Sequence, residues 1–116
     1  MAETKVSFEY PKEIGLRGYK PNTIGHPLQI ERAAKAIDEA SHPVLIAGGG
    51  INLGSAHDEM IRLAEKAQIP VVTTLMGIGA IPRSHPLSLG MMGLHGIPEA
   101  NRAITEADLI IAAGAR

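Results

Sequence analysis

The 116 residues are enough for one domain with its own core, and 45% hydrophobic against 20% charged residues is a globular balance. A formal net charge of -1, with Lys and Arg scattered, leaves no basic face for nucleic acid, and the absence of cysteine removes disulfides and thiolate metal sites. No apolar run has the length of a membrane span or a signal core, so the expected setting is cytoplasmic, with neither nucleic acid nor a membrane as partner.

Aromatic residues make up only 3% (Phe8, Tyr10 and Tyr19), while glycine is plentiful at 13. An aliphatic, alanine-rich core with closely packed layers and bare backbone is therefore expected. Residues 1–26 show no sustained periodicity and are broken by Pro11, Gly15, Gly18, Pro21 and Gly25, which reads as a linker segment. From residue 27 to 116 one unit repeats. Ile30, Ala33, Ala34, Ile37 and Ala40 form the apolar stripe of a helix with Pro27 in its first turn, and Pro43 leads into the strand Val44–Ala47. Met60, Leu63, Ala64 and Ala67 repeat the helical register ahead of Val71–Thr73. Ala100, Ala103, Ile104 and Ala107, starting near Pro98, do so ahead of Leu109–Ala113. Helix, tight turn and apolar strand in alternation predict an α/β fold with a Rossmann-like parallel sheet, helices covering both of its faces. Three strands make a thin sheet, and the sequence stops at a strand end, so a domain truncated at its C-terminus is expected.

Ligands of open parallel sheets sit beyond the carboxyl ends of the strands. The first end carries Gly48, Gly49, Gly50, Ile51 and Asn52, with Gly54 and Ser55 expected to open the next helix. The second carries Thr73, Thr74, Leu75, Met76 and Gly77, and the third Gly114, Ala115 and Arg116, an arginine suited to a forked contact with a pyrophosphate. A glycine turn after a strand also serves merely to close the turn, but three such ends on one edge favour a nucleotide. The dinucleotide fingerprint fails at Leu53, where its last glycine belongs, and the P-loop fails at Ser55, where lysine is required.

The segment Leu89–Gly96 (LGMMGLHG) is too interrupted for a regular element. It reads equally as a buried crossover loop filled by methionines and as an apolar wall beside a flat ring, with His95 supplying one polar contact. His26, His42, His57 and His85 lack metal-binding spacing and read as surface or capping residues. Asp58 and Glu59 suit the first turn of a helix. No nucleophile elbow or acid–base pair is present, so no catalytic residue is expected in this chain.

Four segments, Pro43–Ile51 (PVLIAGGGI), Ile69–Ala80 (IPVVTTLMGIGA), Leu89–Gly96 and Ala107–Arg116 (ADLIIAAGAR), resemble the central domain of thiamine-diphosphate-dependent enzymes of the acetolactate synthase type. The resemblance runs from about Phe8 to the end. It implies a six-stranded parallel sheet binding FAD in extended form between two thiamine-diphosphate domains. The flavin would be largely structural, since condensing two pyruvates, or pyruvate and 2-oxobutyrate, is not a net redox reaction. By position it places Gly48, Gly49, Gly50 and Asn52 along the nucleotide and Thr74, Leu75 and Met76 toward the ribityl or flavin part. Met92, Gly93, Leu94 and His95 would form a loop beside the flavin, and Gly114, Ala115 and Arg116 would face the pyrophosphate. Thiamine diphosphate, Mg2+ and the catalytic glutamate would belong to flanking domains, so this chain alone is expected to lack synthase activity and to hold FAD weakly. The implied partners are those domains, further copies of the same subunit and a regulatory subunit. The alternatives are the equivalent domain of another carboligase or oxo-acid decarboxylase, holding ADP or nothing, and a purely structural assembly domain.

Overall fold

The computed structural model describes residues 22–116 throughout and, ahead of them, residues 3, 5, 7–12, 15, 17 and 18. Tyr19 and Pro21, counted above among the aromatics and the breaks, lie outside the described residues. Those described before Pro27 contain no helix or strand, and Phe8 and Tyr10 meet edge to face at 5.0 Å while staying exposed.

The elements in chain order are α1 (Pro27–Glu39), β1 (Pro43–Ala47), α2 (Gly49–Leu53), α3 (His57–Ala67), β2 (Val71–Thr73), a 3-10 turn (Leu75–Gly77), β3 (Ser88–Met91), α4 (Pro98–Glu106) and β4 (Leu109–Ala113). Proline opens both α1 and α4, where its fixed φ suits the helix and its missing N–H costs nothing. Asp58 and Glu59 lie in the first turn of α3 and Lys66 in its last, each complementing the helix dipole.

The four strands form one parallel sheet in the order β3-β2-β1-β4. Alternate residues of the two central strands build two cores, one on each face. Leu45, Ala47 and Val71 pack with Ile51, Met60, Ala64 and Ile69, which α2, α3 and the turn after α3 bring to one face. Val44 and Val72 pack with Ala100 on the other, where Ile97, Ala103 and Ile104 of the α4 region close over them. Helices thus lie on both faces, as the unbroken apolar strands require.

Three expectations are corrected. Leu89–Gly96 is not wholly irregular: Ser88–Met91 is a fourth strand, paired with β2 across a register shift at Val71/Val72. Gly90, at φ 85°, breaks the alternation that would have betrayed it. Gly54 and Ser55 do not open the next helix. The chain turns into α2 directly after Gly48, and α3 begins only at His57. The apolar stripe of α1 is not buried either: of its residues only Ile37 packs on a core, and Leu28 and Ile30 are exposed.

Candidate functional site

Because all four strands run the same way, their carboxyl ends at Ala47, Thr73, Met91 and Ala113 share one edge of the sheet. There a cleft of about 490 Å³ opens between the ends of β1, β2 and β4, lined by Gly49, Gly50, Leu53, Thr74, Leu75, Met76, Gly114 and Arg116.

Its floor is close-packed backbone. The Gly48 N–H donates to the Ala113 carbonyl at 2.8 Å and the Gly50 N–H to that of Gly114 at 2.9 Å. A Cβ on Gly48 would strike the Gly114 carbonyl oxygen and the Ala115 Cα, so only glycine lets β1 and the end of β4 approach this closely. These two amides are therefore spent inside the chain. Glycine here serves the approach of two strand ends, and neither Gly48 nor Ala115 is part of the cleft lining.

Its wall is the turn after β2. The Thr74 N–H is held by the Ala47 carbonyl at 3.0 Å, and Thr74 Oγ1 accepts the Gly77 N–H at 3.1 Å. The threonine hydroxyl accepts within the turn, which leaves its hydrogen to turn toward the cleft. A Cβ on Gly77 would collide with the Ala47 carbonyl, so the turn is pressed against the end of β1. Leu75 and Met76 consequently stand outward, 70% and 74% exposed, with Leu53 opposite them at 91%. Three large apolar side chains around one opening form a surface suited to a flat apolar ligand, and Arg116 supplies the positive charge on the lining.

The other expected site residues lie apart from this cleft. Asn52 sits beside it with its amide committed to the turn: Nδ2 donates to the carbonyls of Met76 and Ile78, and Oδ1 meets His57. Met92 follows β3, its N–H held by the Thr73 carbonyl at 3.0 Å, and it packs into the second core. Gly93, Leu94 and His95 form an exposed loop fixed from α4. Asn101 accepts the Gly93 N–H at 2.8 Å and donates to the Gly93 carbonyl at 2.9 Å. A second hollow of about 360 Å³, between residues 78–83 and β3, takes Arg83, Thr73 and Ser88 as its polar lining.

Sequence reasoning missed Leu53, His57, Arg83 and Asn101. Leu53 carried a signal, an apolar residue just past a glycine turn. The others depend on contacts across the fold. Nor are His57 and His85 plain surface groups: His57 pairs with Asn52, while His85 bonds Glu65 at 3.2 Å and accepts the Leu87 N–H.

Comparison with known proteins gives this geometry a context. The family model for the central domain of thiamine pyrophosphate enzymes matches residues 30–116, which takes in every helix and strand from within α1 to β4. The chain belongs to this family. Among curated relatives of this central domain, the "Probable acetolactate synthase large subunit" of Methanocaldococcus jannaschii is 54% identical over 94% of this chain and 18% of its own length. The acetolactate synthase large subunit of Corynebacterium glutamicum is 47% identical over 97% of this chain and 18% of its own. The chain thus spans about a fifth of the length of these relatives. A structure from Mycobacterium smegmatis, described as a thiamin diphosphate-dependent enzyme, superposes with a TM-score of 0.65 at 24% identity, covering 85% of this chain and 19% of that one. It shares the fold. Among the described residues no helix is long and apolar enough to cross a membrane.

Proposed function

We propose that this thiamine-pyrophosphate-enzyme central domain serves an acetolactate synthase large subunit, and that its strand-end cleft receives FAD. The observation that carries the reading is the cleft itself, where apolar Leu53, Leu75 and Met76 stand exposed around a glycine floor with Arg116 at hand. Relatives at 54% and 47% identity that bear the acetolactate synthase name support the choice of enzyme.

The residues fit such a cofactor by their chemistry. Leu75 and Met76 offer an apolar, adaptable surface to an aromatic ring. The Thr74 hydroxyl can donate to a ribityl oxygen. Arg116 can pair with a pyrophosphate in a forked contact. FAD held there would supply a planar and charged scaffold between domains, since joining two 2-oxo acids with loss of carbon dioxide is redox-neutral. The carbon–carbon bond would be formed on thiamine diphosphate, with Mg2+, in flanking domains. This chain's task is to bind and orient. Assembly into a homo-oligomer with a regulatory subunit, in the cytoplasm, belongs to the same proposal.

The test is a titration of the chain with FAD, followed by flavin fluorescence, with ADP as competitor. Saturable binding that ADP only partly displaces supports a cleft holding both halves of the cofactor. Arg116→Ala is expected to weaken FAD and ADP alike, roughly tenfold, as loss of one charge-assisted contact does. Met76→Lys should weaken FAD while sparing ADP. A folded chain that binds no FAD would overturn the assignment.

A further inference from the structure

Asn52 ends one layer and touches the next. It lies in the last turn of α2, outside the cleft lining, and its Nδ2 donates to the Met76 carbonyl at 3.0 Å and to the Ile78 carbonyl at 3.1 Å. Carbonyl oxygens only accept, so these two bonds fix which way the amide faces: nitrogen toward the turn, oxygen away from it. Oδ1 then meets Nε2 of His57, the first residue of α3, at 3.1 Å. An amide oxygen brings no hydrogen to that contact, so Nε2 of His57 must carry it. The result is a chain of donors running one way, from His57 through Asn52 to the turn that presents Leu75 and Met76.

We propose that Asn52 is a positioning residue of the flavin cleft, oriented by His57, and that it acts through the Met76 and Ile78 backbone rather than by touching the ligand. This rests on the reading of the cleft as an FAD site. Two carbonyls two residues apart can converge on one NH2 group only while the turn keeps its bend, and that bend is what aims the Met76 and Leu75 side chains outward. Without the amide, the turn loses its side-chain tie to α2 and keeps the Thr74 N–H bond to Ala47, its own internal bonds from Gly77 to Thr74 and from Ile78 to Leu75, and the contact of Gly77 with Ala47. The wall of the cleft is then free to sample other shapes, and each departure lowers the fraction of chain ready to bind.

The experiment reads FAD affinity by fluorescence and, without flavin, the backbone amide resonances of the 15N-labelled chain. Asn52→Leu keeps the volume and removes the donors. It is expected to weaken FAD roughly tenfold and to move the ligand-free resonances of residues 75–79. His57→Ala should move the same resonances in the same direction and weaken FAD by a smaller factor. His57→Gln, whose side-chain nitrogen can donate where Nε2 does, should restore both readouts. The double variant should bind no worse than Asn52→Leu alone, since both substitutions break one chain of bonds. Loss of flavin in Asn52→Leu with unmoved ligand-free resonances would overturn the proposal in favour of direct contact. So would a His57→Ala chain identical to the parent in both readouts. Should the parent chain bind no FAD, the flavin reading falls by itself, and the resonances of the turn still decide whether Asn52 positions it.

Discussion

Gly48 shows how little room a single residue can leave. It is buried, its N–H is bonded to Ala113, and the space where a Cβ would go is filled by Gly114 and Ala115 backbone. Backbone cannot rotate aside as a side chain can, so Gly48→Ala must push β1 and the end of β4 apart. The expected cost is at least about 1–3 kcal/mol, in the range of an overpacked core. It should appear as a lower urea midpoint at unchanged slope. Asp108 is the residue-scale counterpart in electrostatics. Its carboxylate accepts the Ser41 N–H at 2.7 Å and the His42 N–H at 2.9 Å, tying the start of β4 to the turn before β1. Those two bonds, Ser41 first, hold its pKa below the ordinary aspartate value. A lowered folded pKa gives stability that is present above the unfolded aspartate range and lost as pH falls through the folded value. Acid unfolding should therefore come at higher pH relative to neutral stability in the parent than in Asp108→Asn, whose stability should vary less across the acid range. Equal pH slopes would acquit this carboxylate.

At the scale of elements, most of the architecture was legible because proline punctuates it. Pro27 and Pro98 open helices, Pro43 opens a strand, Pro70 precedes one, and the apolar runs Val71–Thr73 and Leu109–Ala113 are strands over those same residues. What stayed hidden was hidden for physical reasons. β3 is a half-buried edge strand of four residues, and Gly90 sits in it at positive φ, so neither length nor alternation marks it. α2 has five residues, less than two turns, too short for any periodicity. For the candidate site, glycine clusters and the Thr74–Met76 segment pointed to the sheet edge where the cleft opens, but the commitments of asparagine amides cannot be read from composition. Asn101 is the clearest case. It lies on α4 and clasps both polar groups of Gly93, which reaches φ 111° and leads into exposed Leu94 and His95. Asn101→Ala removes both bonds at once. Residues 93–96 should then become readily cleaved in limited proteolysis, while global stability falls only by about 1–2 kcal/mol because the loop lies outside the cores. If the loop stays resistant, the clasp is not what holds it.

For the whole molecule, burial is concentrated in the sheet and only some of the helices. The cores sit between the sheet and the helices α3 and α4, with β2 fully buried and β1 buried except for half-buried Pro43 and Ile46, whereas α1 contributes little more than Ile37. Family resemblance alone would treat every apolar helix stripe as a core stripe. The exposures separate them: Leu45 is 0% exposed and Ile30 is 59%. Leu45→Ala empties a site between β2 and β4 that neighbouring strands cannot close, so a loss of about 2–5 kcal/mol is expected. Ile30→Ala removes atoms already in water. It should cost well under about 1 kcal/mol, offset further by the better helix propensity of alanine. Paired denaturant titrations of the two variants decide the point. A large loss in Ile30→Ala would mean that in solution α1 packs its stripe against the body of the chain. A small one would mean that the strand-end cleft is carried by β1, β2 and β4 with their own helices, and that α1 can move without disturbing it.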